Sequence, residues 1–207
     1  MNLEKLKNAE EYFLELYPEG FKDIGLQPII KRHNTAKIGE YVRELFAKKN
    51  FTQPELICEN FAKIVSKSTL ISLFEKPKIR DMVTSMRMER RDMLSIGLYE
   101  MLYGDKEEGF ETLVEVLSFY GLAKWSIVTL IPYYFYRDTE FFIKPTTTKN
   151  ILSFFEIEGL TYKPKPSYEF YAAYTTVLEM MKQNVGKKIS HDDNAAFTGF
   201  LMMAMEE

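Results

Sequence analysis

The sequence predicts an all-α fold, and three observations carry that expectation. Apolar residues recur three and four positions apart along most of the chain, the spacing of a helix with one buried stripe. No run of period-two alternation is long enough to specify a strand. Glycine and proline fall mostly between the periodic stretches, where they punctuate rather than interrupt. With 207 residues, 46% of them apolar, the chain can bury one substantial core. A single helical domain over 1–207 is expected, and any division into two lobes with a groove between them falls near 104–108.

The elements follow in order. Leu3, Leu6, Ala9, Phe13, Leu16 and Tyr17 sit at helical spacing, and Pro18 with Gly20 ends the pattern. A short turn at Pro28 precedes a helix over Ile38, Val42, Leu45 and Phe46. Thr52 as cap and Pro54 in the first turn start the next. Two patterns follow, one over Ile79, Met82 and Met86, the other over Met93, Leu94, Leu98 and Leu102, closed by Gly104. A helix from about Glu108 to Phe119 is broken by Gly121, and a second runs from about Lys124 to Tyr134. Lys144-Pro-Thr-Thr-Thr-Lys opens another, helical over Ile151 to Glu158 and stopped at Gly159. The segment 160–167 is an extended connector, because each residue before a proline is pushed off helical angles. Ser167 caps a helix through Tyr171, Tyr174, Val177, Leu178 and Met181, and the stretch after Ser190 supplies the last. The eleven methionines fall mostly on apolar faces and read most simply as core filler.

Net charge of -3 and a pI of ≈ 5.6 argue against coating nucleic acid by bulk electrostatics, so such a function needs a local basic face. The single cysteine, Cys58, has no partner for a disulfide or a zinc site, and a reducing cytoplasm is the expected compartment. No run approaches the length of a bilayer-spanning helix, and no membrane partner is expected. His33 and His191 lie in no metal-ligand spacing, so neither metal nor other cofactor is expected. The acids of Ser190-His-Asp-Asp-Asn suit a helix start better than a ligand set. Glycine-rich phosphate loops and the G-x-S-x-G nucleophile turn are absent from the sequence. No acid and base pair is marked, and a standard catalytic site is not expected.

Gly121 separates two apolar patterns and forces the chain to reverse within a few residues. A tight helical hairpin of this kind can offer backbone N–H groups and the positive end of its second helix to a phosphate. Gly121, Ala123 and Lys124 are the residues placed to do so here. Phe119-Tyr-Gly-Leu-Ala-Lys-Trp-Ser-Ile resembles the turn of the helix-hairpin-helix DNA glycosylase superfamily, matching at Gly121, Leu122 and Ser126. Trp125 stands where the 3-methyladenine type of that superfamily often has tryptophan. The resemblance covers about 30 residues and implies two helical lobes, a groove, and duplex or damaged DNA as partner. It departs from the pattern at Ala123, which replaces the second turn glycine. The catalytic aspartate position falls near Pro145 or Thr146, neither of which can stabilise a cationic sugar or activate water. Lysine-using members carry their nucleophile where Trp125 stands. The chain as a whole also resembles bacterial helical proteins with no assigned activity.

Lys144, Thr146 and Lys149 form a second group, with Lys163 and Lys165 nearby. Lysines with threonine hydroxyls at a helix start suit a phosphate, and neighbouring aromatics suit a base. The plainer account is that Thr146 to Thr148 cap the helix and the lysines solubilise a loop. Arg80, Arg87 and Arg91 share a helix face, but Glu75, Asp81, Glu89 and Asp92 dilute it to a solvated surface. Two functions lead, DNA binding of a glycosylase-like kind without aspartate-dependent excision or a non-catalytic scaffold, ahead of a small-molecule enzyme with a cleft lined by Trp125, Tyr133, Tyr136, Asp138 and Lys144. In the scaffold reading an aromatic and methionine-rich groove near Trp125, Tyr133 and Tyr136 receives a protein partner.

Overall fold

The computed structural model describes residues 1–205, and these form helices, turns and loops without a strand. In order they are α1 (Leu3–Leu16), α2 (Gln27–His33), α3 (Thr35–Leu45), α4 (Pro54–Lys67), α5 (Glu75–Ser85), α6 (Met88–Tyr103) and α7 (Lys106–Phe119). Then come α8 (Trp125–Val128), α9 (Leu130–Phe135), α10 (Pro145–Phe154), α11 (Tyr168–Gln183), α12 (Lys187–Ser190) and α13 (Asn194–Ala204). Among the described residues no helix is long and apolar enough to cross a membrane. Cys58 is buried, which pushes its thiol up to about 12.

The helix ends follow local chemistry. Asn2, Asp105, Ser167 and Asp193 each accept a bond from a first-turn N–H with their side chains. Helix α7 ends on Gly121, whose φ of +67° suits a residue without Cβ. The Gly121 N–H donates to Ser118 O at 3.0 Å and the Leu122 N–H to Leu117 O at 2.9 Å. This is the paired closure of a Schellman motif. Glu156 takes the same place after α10 at φ +50°, with the Ile157 N–H donating to Leu152 O at 2.9 Å.

Several boundaries differ from the sequence expectation. The helix expected from Lys124 to Tyr134 is two, α8 and α9, because Pro132 has no N–H to donate to Val128. Thr129, at the break, donates its hydroxyl to Trp125 O and accepts the Ile143 N–H at 3.1 Å. Pro28 lies in the first turn of α2 rather than in a separate turn. Gln53, not Thr52, precedes α4. Helix α10 ends at Phe154, before Glu158, and Lys144 rather than a threonine occupies its N-cap.

One apolar core extends from Leu6 to Ala204 and draws on both sides of Gly104. Helices α6 and α7 reverse at Gly104 and pack face to face. A Cβ on Gly109 would stand 2.7 Å from Gly97 O and 2.9 Å from Glu100 C, both backbone atoms of α6. Gly109→Ala is therefore expected to reduce folding free energy by about 2–3 kcal/mol, the upper range of overpacking. Urea unfolding checks it, and a loss below about 0.5 kcal/mol would show that the pair opens freely.

Helix α1 closes the molecule. Its Phe13 ring meets Phe200 of α13 with centroids 5.3 Å apart, and the Asn2 N–H donates to Phe155 O at 2.8 Å. Glu156 receives Asn2 Nδ2 at 2.9 Å and Lys5 Nζ at 2.8 Å. The segment between α9 and α10 runs inward and buries Glu140, Phe141 and Ile143. The Glu140 carboxylate accepts from Lys106 Nζ and from the Tyr171 hydroxyl. Asn194 Nδ2 donates to Glu140 O at 3.1 Å.

Candidate functional site

The loop after α4 and the starts of α5, α8 and α10 meet the 160–167 connector around a cavity of ≈ 520 Å³. That size lies within the range of small-molecule pockets, and the cavity is open to solvent along one side. Lys124 and Ser126 come from the start of α8, Lys144 and Thr146 from the start of α10, and Glu75 from α5. Trp125, 1% exposed, forms part of the wall. Its Nε1–H donates to Lys163 O at 2.8 Å, which ties the connector to α8. Tyr162 closes the same side, half-buried, with its hydroxyl pKa raised by burial.

Charge inside the cavity is mixed. Lys124 Nζ lies 2.6 Å from Glu75 Oε1, and the Glu75 side chain is only 12% exposed. Lys144 is exposed and belongs to no ion pair among the described residues. His33, whose Nδ1 lies 2.8 Å from Thr69 Oγ1, flanks the opening. Burial holds His33 below the ordinary imidazole value, and Arg32 and Lys144 lower it further. The positive side of the cavity thus comes from Lys144, because Lys124 is paired with Glu75 and the imidazole is neutral at neutral pH.

The start of α10 adds backbone donors. The first turn of a helix leaves its N–H groups without intrahelical partners, and here Pro145 has none while those of Thr146 and Thr147 precede the first closed bond, Thr148 N–H to Lys144 O at 2.9 Å. Thr147 and Thr148 are buried, whereas Thr146 faces outward. Lys149 lies beside the cavity, its ammonium 5.1 Å from the Tyr162 ring centroid.

Of the residues singled out from sequence, Lys124, Trp125, Lys144 and Thr146 line one cavity. The Gly121 turn itself works differently from the anion-binding hairpin expected. Gly121 is exposed, but its N–H and that of Leu122 are consumed by the end of α7, and the Lys124 N–H bonds Leu122 O at 2.8 Å. Ala123 is half-buried and does not line the cavity. Tyr133 is buried, and Tyr136 donates its hydroxyl to Leu102 O; neither lines the cavity with Trp125. Met82, Met86, Met101 and Met181 are core residues.

Sequence reasoning missed Thr69, Ser72 and Glu75. Their one local signal is the hydroxyl-rich run Ser66-Lys-Ser-Thr-Leu-Ile-Ser before α5, while Glu75 reads locally as one acid on a solvated face. Among the described residues no cluster of three His, Cys, Asp or Glu side chains is placed to hold a metal ion. No family model matches the chain, and comparison with curated proteins and with solved structures likewise gives no match.

Proposed function

We propose that the protein binds DNA at this cavity, glycosylase-like in its contacts but without aspartate-dependent base excision. One observation carries the reading: Lys124, Lys144, Thr146 and the aromatic pair Trp125 and Tyr162 converge on one cavity from separate chain segments. Lys144 and the free amides of α10 suit a phosphate, and Lys149 stands one ring away to take the next. The half-buried Tyr162 ring and the cavity volume suit a nucleotide turned out of its stack. Pro145 and Thr146, at the position of the glycosylase aspartate, offer no carboxylate.

Fluorescence anisotropy on duplexes with and without an abasic site tests this. Affinity should fall steeply between about 50 and 200 mM salt, and Lys144→Glu with Lys149→Glu should flatten the log–log slope by about 2. Binding that ignores salt, or none at the lower concentration, rejects the reading. A second reading, a protein-docking role, is favoured by Leu73 and Phe74, which are 78% and 83% exposed next to the cavity residues Ser72 and Glu75.

A further inference from the structure

We infer that the cavity is selective for guanine, read by the Glu75–Lys124 pair. The inference rests on the nucleic-acid reading above and specifies which base its cavity takes. Glu75 Oε2, Glu75 Oε1 and Lys124 Nζ present acceptor, acceptor and donor in sequence, because Nζ is bonded to Oε1 at 2.6 Å. Guanine is the standard base whose pairing edge offers the complement: the N2 and N1 hydrogens are adjacent donors, followed by the O6 acceptor. Adenine and cytosine can give their amino hydrogen to Oε1 and take Nζ at the ring nitrogen, but neither has a second adjacent donor, so Oε2 is left without one. Uracil and thymine offer one donor between two acceptors, so one of their carbonyls meets the carboxylate.

The surroundings strengthen the selection. Glu75 is largely withdrawn from water, so a donor it receives is not replaced cheaply by solvent, and a mismatched acceptor leaves it unpaired. Lys124 keeps half its side chain exposed and can swing toward O6 while retaining Oε1. Tyr162, backed by the buried Trp125, supplies apolar wall for the ring, and Lys144 at the opening suits the attached phosphate.

The test uses the full chain and mononucleotides. Trp125 is the only tryptophan, so its fluorescence reports occupancy of the wall it forms. GMP should bind about tenfold or more tightly than AMP, CMP or UMP, the discrimination of a bidentate base contact. IMP, which lacks the 2-amino group, should bind about tenfold more weakly than GMP. Glu75→Gln should erase the preference, with its melting temperature recorded alongside; the GMP and IMP comparison on the unaltered protein stands whether or not that variant folds. Equal affinity for the four nucleotides, equal affinity for GMP and IMP, or a preference that survives Glu75→Gln overturns the guanine site. Salt-sensitive DNA binding without base preference removes the guanine site and leaves DNA binding standing. Guanine preference without DNA binding does the reverse.

Discussion

Glu140→Ala is expected to lower folding stability by about 2–4 kcal/mol, the combined cost of a void and of a buried hydroxyl left without its acceptor. The carboxylate is 3% exposed and is the acceptor for both Lys106 Nζ and the Tyr171 hydroxyl. Lys106 keeps nearly half its side chain in water and can turn outward when its partner is removed. Tyr171 cannot: it is 2% exposed, and its hydroxyl would remain without an acceptor beside a new void. Most of the loss therefore arises from the tyrosine and the void rather than from the ion pair. Glu140→Gln separates these, because its amide oxygen still accepts from Tyr171, and it should lose only about 1 kcal/mol. Urea midpoints with unchanged slopes give both values. Similar losses for the two variants would show that charge, not the tyrosine bond, holds the segment in place.

The second large effect is at Trp125. Trp125→Ala removes the indole packed against Phe170 at 5.2 Å and Phe110 at 6.0 Å between centroids, and should lose about 3–5 kcal/mol. It also removes the donor to Lys163 O, so the connector 160–167 should exchange its amide hydrogens faster than the rest of the chain. Trp125→Phe keeps most of the packing and loses the donor alone; about 1 kcal/mol is expected, with the same local rise in exchange. Uniform exchange in both variants would show that proline stiffness, not this bond, positions the connector.

These two residues also mark what was legible in the sequence. Helix periodicity and caps act over three or four residues, so Ser167, the acids before α13 and the stop at Gly121 could be read directly. Pro132 lies within an apolar run strong enough to hide the break it causes, and only Thr129 with its bond to Ile143 shows how the break is stabilised. Lys124, Trp125, Lys144 and Thr146 stood out by residue type, but the hairpin amides expected to act with them are used by α7 itself. Glu75 and Glu140 acquire meaning only from Lys124 and from Lys106 with Tyr171, partners in distant segments. No local pattern distinguishes such an acid from one on a solvated surface, since the pairing is decided by how helices stack.

The attachment of α1 carries a consequence for biosynthesis. Leu6, Ala9 and Phe13 are buried, yet α1 is held by Phe155, Glu156 and α13, all made well over a hundred residues later. At ordinary elongation rates the first helix waits roughly 10–30 s for its neighbours. During that interval its greasy stripe faces solvent or a chaperone, and the nascent chain is vulnerable to aggregation at this helix.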